Sequence, residues 1–166
     1  MRNNCIYYVE GDCEKTLINA LKEHPSKVIP GKVKVFNIIK NEVTRSQLIS
    51  IKPGTTVVFV FDTDVRVTDH LKNNIARFRA YCVRTKIVFL PQVLNFEDEI
   101  VRCTDVSEPT DLTKSKSQKD FKRDFCALTN PRAVLDRHCL DVLKLWMTEP
   151  PQEFAFIDKN SSEIKT

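Results

Sequence analysis

Seven residues, Thr55-Thr56-Val57-Val58-Phe59-Val60-Phe61, carry an unbroken series of β-branched and aromatic side chains between a Pro53-Gly54 turn and an acidic end, Asp62-Thr63-Asp64. A strand with no polar face has both faces covered, which is the habit of parallel sheets with helices above and below. A second run of the same kind, Cys5-Ile6-Tyr7-Tyr8-Val9, ends in Glu10-Gly11. Residues 86–90 form a third, stopped by Pro91, and residues 32–39 alternate as a fourth strand.

Helical spacing recurs between these strands. Asp12 is placed to cap a helix over residues 13–24, in which Leu17, Leu21 and His24 share a face before Pro25, Pro30 and Gly31 end it. Residues 44–51 predict a short helix. Thr68 or Asp69 caps another that reaches Tyr81 with Leu71, Ile75, Phe78 and Cys82 in step, and residues 96–103 predict a further one. This order is the βαβ pattern of a four-stranded parallel sheet flanked by helices. Ligand sites of such sheets lie beyond the carboxyl ends of the strands.

After Pro109 the character changes. Lys114, Lys116, Lys119, Lys122 and Arg123 enrich residues 111–125 in positive charge, diluted by Asp120 and Asp124. Asn130-Pro131 predicts a helix running to about Met147, with Leu135, Cys139, Val142 and Trp146 on one face. The last dozen residues are polar and expected to fray. The expected organisation is an α/β domain over residues 1–105, with a helical extension over 106–166 packed on it.

Composition sets limits on partners and compartment. The chain has 166 residues, 42% hydrophobic and 29% charged, enough for one domain that folds without staples. A net charge of +4 suits an anionic partner but is far from a histone-like excess. The six cysteines show no Cys-x-x-Cys spacing, and the three histidines complete no zinc pattern. They read as small buried thiols in a reducing compartment, and no segment has signal-peptide or membrane-span form, so a cytoplasmic location is expected.

The acids carry the chemistry. Asp62 and Asp64 lie two residues apart, so on extended backbone both point the same way. Two carboxylates held close repel unless a cation lies between them, and oxygen ligands of this kind suit Mg²⁺ or Mn²⁺. Glu10 joins them if the first and third strands are neighbours. Glu14, one turn into the first helix, and Glu97, after the fourth strand, are further candidates. Each has a local alternative, a helix start favouring negative charge. The local alternative for the lysines is a solvated face; otherwise they contact nucleic-acid phosphates.

The segments Tyr8-Val9-Glu10-Gly11 and Val58-Phe59-Val60-Phe61-Asp62-Thr63-Asp64 together resemble the Toprim domain, over about residues 5–100. The resemblance implies a Toprim-like, Rossmann-like sheet, with Glu10 as acid/base or metal ligand and Asp62 and Asp64 holding Mg²⁺ or Mn²⁺. Glu14 is similar to the second acid of nuclease-type Toprim domains, and Leu94-Asn95-Phe96-Glu97 to a segment of RloB-like proteins. No glycine follows Asp64, unlike topoisomerases and primases. The resemblance therefore points to stand-alone nucleases of the OLD and RloB-like kind, in defence against phage or other foreign nucleic acid, with a partner protein such as an ATPase. It also implies a lysine near the metals, for which Lys116 is the first choice beside Lys114 and Lys119. Lys114, Lys119, Lys122 and Arg123 are the expected nucleic-acid contacts. The competing expectation is a non-catalytic α/β module that binds a metal or nucleotide and acts through a protein partner.

Overall fold

The computed structural model describes residues 4–166. Its elements run β1 (Cys5–Val9), α1 (Asp12–Lys22), β2 (Lys32–Val35), α2 (Arg45–Ile49), β3 (Thr56–Asp62), α3 (Asp69–Tyr81), β4 (Lys86–Gln92), α4 (Phe96–Cys103), α5 (Pro109–Thr113), α6 (Gln118–Cys126) and α7 (Pro131–Arg137), followed by two short 3₁₀ turns. The four strands form one all-parallel sheet in the order β2-β1-β3-β4. The fold is α/β and Rossmann-like, with a C-terminal helical region.

Every residue of β3 is buried, as its apolar run predicts. Alternation divides it between two cores. Val58 and Val60 join Tyr7, Val9, Val88 and Leu90 under α1, α4 and the C-terminal helices. Val57, Phe59 and Phe61 join Tyr8 and Phe89 under α2 and α3. The second core is strongly aromatic: Phe59 stacks on Tyr8 and meets Phe78 edge-on with centroids 4.9 Å apart. From β1 the chain steps outward to β2, then returns past β1 to β3 and β4. The direction of winding therefore reverses between β1 and β3, the place where such sheets open a crevice.

Several boundaries differ from the sequence expectation. Gly11, not Asp12, is the N-cap of α1, because the Glu14 carboxylate reaches back to the Gly11 amide. β2 ends at Val35, since Asn37 accepts from the amides of Ile39 and Lys40 and turns the chain there. β4 runs through Pro91 to Gln92. In the sheet it is an edge strand beside β3, where a residue without an N–H is tolerated.

The helix expected to reach Met147 stops at Arg137. Cys139 adopts φ 54°, Leu140 N–H donates to Leu135 O (3.0 Å) and Cys139 N–H to Asp136 O (3.2 Å). This is a Schellman ending with cysteine in the place glycine usually takes. Residues 155–166 do not fray. Ile164 is fully buried, Ile29 N–H donates to its carbonyl, and Thr166 N–H donates to Lys27 O. The Asn160 amide bonds both Ile87 O and Phe89 N–H along the free side of β4.

Candidate functional site at the carboxyl edge of β1 and β3

β1 and β3 are paired neighbours, so the residues that end them meet. Glu10, just past β1, accepts from the Asp62 backbone N–H at 3.1 Å through Oε2. Its Oε1 accepts from Asn37 Nδ2 at 2.6 Å, with Lys40 Nζ 4.0 Å away. Glu10 therefore ties β3 to the turn after β2. Glu14, 4% exposed on α1, accepts from the Gly11 N–H at 2.9 Å.

Asp62 closes β3 with 8% exposure, and its Oδ1 is buried without a partner. It lies opposite Gln92 of β4, so the two side chains extend the face of Val60 and Leu90. Gln92 is fully buried, and neither atom of its side-chain amide has a partner. Buried polar groups are nearly always satisfied, so two such orphans on adjacent strands call for a physical reason.

Charge adds to the stress. Burial first, then the carboxylates of Glu14 and Glu10, push Asp62 up to about 8, with Asp64 adding and Lys122 opposing. Glu14 is also raised, first by burial and then by Glu10, against hydrogen bonds from nearby backbone amides. Lys122, on α6, reaches the same edge. Its Nζ is 3.1 Å from Glu97 Oε1, while Glu97 Oε2 is buried and unpartnered. Burial works to lower the Lys122 ammonium, but Glu97 and Asp62 outweigh it and hold it above the usual lysine range.

Glu10, Glu14, Asp62, Glu97 and Lys122 thus share one edge of the sheet. Asp64 lies exposed two residues beyond Asp62 and is felt there through its charge. The remaining basic candidates lie elsewhere. Lys114 is the exposed left-handed cap of α5. Lys116 lies exposed between α5 and α6, and Lys119 is exposed on α6. Arg123 is held by Asp120 and Asp124 of its own helix, at 2.9 and 2.8 Å. Besides Lys40 beside Glu10, the lysine that reaches the acids is Lys122, expected as a nucleic-acid contact, while Lys116 lies exposed before α6. The reason is tertiary: Phe121 and Phe125 are fully buried, which docks α6 and turns Lys122 to Glu97.

Asn37, Lys40 and Gln92 are members of this edge that the sequence did not single out. Asn-x-x turn chemistry is the one signal that marks Asn37. Gln92 sits behind a proline that hides the last turn of its strand.

The donor set is carboxylate oxygen, which fits a hard divalent cation in chemistry. The orphaned Asp62 Oδ1 and the mutual repulsion of the acids are what such an ion relieves. As placed, no three His, Cys, Asp or Glu side chains among the described residues form a group able to hold an ion. Glu10 and Glu14 are turned onto backbone amides and Glu97 onto Lys122, and they would have to swing away from these partners. No helix among the described residues is long and apolar enough to cross a membrane. No protein-family model, curated protein or solved structure matches the chain.

Proposed function

We propose that the chain is a metal-dependent nuclease that hydrolyses phosphodiester bonds of DNA or RNA at the carboxyl edge of β1 and β3. The observation that carries this reading is the buried, half-unpartnered Asp62 carboxylate between Glu10, Glu14 and Lys122 at the reversal point of the sheet. The Toprim resemblance of the sequence, with Glu10 after the first strand and Asp62 and Asp64 after the third, motivates the same reading. Glu10, Glu14, Asp62 and Asp64 would hold Mg²⁺ or Mn²⁺, with Glu97 contributing if Lys122 releases it. Bound there, the ions supply an acidified water and charge stabilisation at the leaving oxygen.

The chain's own residues do the rest. Without a metal, Asn37 and the Asp62 amide hold both oxygens of Glu10, which would leave these partners on taking an ion. Lys122 is half exposed, so it can turn from Glu97 to a phosphate oxygen and offset charge building on phosphorus. Lys40, beside Glu10, lies exposed on the opposite flank. Nucleic acid is the proposed partner and the cytoplasm the proposed location.

Labelled single- and double-stranded DNA and RNA, incubated with Mg²⁺ or Mn²⁺, test this directly. Wild type cleaves at least one of them. Asp62→Asn and Glu10→Gln lose more than about 100-fold, beyond the loss typical of residues that only support a ligand. Undiminished cleavage by either variant, or none by wild type in both metals, ends the proposal.

A second reading, a non-catalytic metal- or nucleotide-binding module, is favoured by one observation. Lys122 already neutralises part of the acidic edge through Glu97 and Asp62. A metal-dependent rise in thermal stability without hydrolysis would select it.

A further inference from the structure

The Sγ atoms of Cys13 on α1 and Cys126 on α6 lie 3.4 Å apart, though 113 residues separate them in the chain. Cys13 is buried and Cys126 is exposed. Cys13 precedes Glu14, and Cys126 follows Lys122 by one helical turn, so both cysteines sit directly beside members of the acidic edge. The Cys13 Sγ also contacts the Lys122 carbonyl at 3.6 Å. The other four cysteines make no thiol–thiol contact among the described residues: Cys5, Cys82 and Cys103 are buried apart, and Cys139 is exposed at the end of α7.

We propose that Cys13 and Cys126 form a reversible disulfide, a modification site that staples α6, with Lys122, to α1, with Glu14. The pairing is set by tertiary contact between two helices far apart in the chain, so it needs only the last approach of two sulfurs. Exposure decides the order of events. The Cys126 thiolate attacks a low-molecular-weight disulfide such as glutathione disulfide, and one glutathione departs as its thiolate. The Cys13 sulfur then attacks Cys126 in the mixed disulfide and expels the second glutathione, which carries away the Cys13 proton. Two protein thiols become one disulfide, and one glutathione disulfide becomes two glutathiones. Reducing thiols reverse both steps.

The consequence lies in α6. Reduced, the helix is held at this end by packing and by the Lys122–Glu97 pair. Oxidised, it is held covalently to α1, and Lys122 is fixed at the acids. This holds whether or not the acidic edge hydrolyses phosphodiesters.

The test is oxidation of the purified chain with glutathione disulfide, alkylation of remaining thiols after unfolding, and peptide mass spectrometry. The expected product is one cross-linked pair, the peptides of Cys13 and Cys126, two mass units below their sum and lost on reduction. Closing so long a loop raises the thermal midpoint of oxidised wild type by roughly 10–20 °C. Cys126→Ala, a change at an exposed position, keeps the reduced midpoint and shows no rise on oxidation. Stable glutathione on Cys126 with Cys13 still alkylatable, a different cysteine pair, or an equal rise in Cys126→Ala would each overturn the proposal.

Discussion

Asp62 and Glu99 are both buried carboxylates, and they live in opposite circumstances. Glu99, on α4, is 0% exposed and fully engaged: it accepts from Arg102 Nη2 at 2.7 Å and from the Trp146 backbone N–H at 2.5 Å, with the Cys103 thiol 3.8 Å away. Asp62 keeps one oxygen unpartnered, and its nearest charged neighbours include two carboxylates. Burial alone therefore does not make two acids alike. The partners differ: Glu99 anchors the left-handed turn at Trp146 to α4, and Asp62 keeps an unpartnered oxygen close to two other acids.

The strongest way to break this contrast is Glu99→Ala. It leaves the buried Trp146 amide without an acceptor and should cost about 3 kcal/mol in urea unfolding. A loss below about 1 kcal/mol would make Glu99 no anchor at all. Next comes metal. Mg²⁺ or Mn²⁺ at 100 times its dissociation constant should stabilise wild type by about 2.7 kcal/mol, a rise in midpoint of roughly 5–10 °C. Asp62→Asn should lose that rise; keeping it would move the metal elsewhere.

The metal-free protein gives a subtler test. The folded midpoint of Asp62, about 8, lies above its ordinary value of 3.8, so the folded state holds the proton more tightly. The stability this contributes is complete below about pH 4 and is lost as pH rises through 8. Asp62→Asn should therefore match wild type near pH 4 and exceed it increasingly as pH rises toward and through 8. A variant that destabilises at pH 8 would show Asp62 to be a structural acid like Glu99. The smallest effect belongs to Lys122→Met. Its half-exposed side chain stabilises by under about 1 kcal/mol, but its removal should move the Asp62 midpoint further up, visible by carboxyl ¹³C NMR titration. A downward movement would contradict the opposition between the two charges.

The legible parts of this molecule are those written in local pattern. All four strands, the parallel sheet and the meeting of Glu10 with Asp62 follow from apolar runs, their spacing and the site rule for such sheets. The chain beyond Pro109 was harder because its signals are tertiary. With glycines only at 11, 31 and 54, nothing in composition announces the end of α7 at Cys139. Lys122, expected only as a nucleic-acid contact, reaches Glu97 because Phe121 and Phe125 set the rotation of α6, which lysine spacing alone does not show. Nothing local marks Glu99, because a partner 47 residues away leaves no trace in the sequence.

The clasp of Asn160 on β4 bears on solubility. An open strand edge is a template for a second molecule, and β4 carries Ile87, Val88, Phe89 and Leu90 in a row. One side-chain amide offers that edge both a donor and an acceptor and so ends the sheet where another chain would extend it. β2, at the opposite edge, is guarded differently, by shortness and by Lys32 and Lys34. Damage to the final turn of this chain would thus be felt first as self-association along β4, while the distant acids still stood in place.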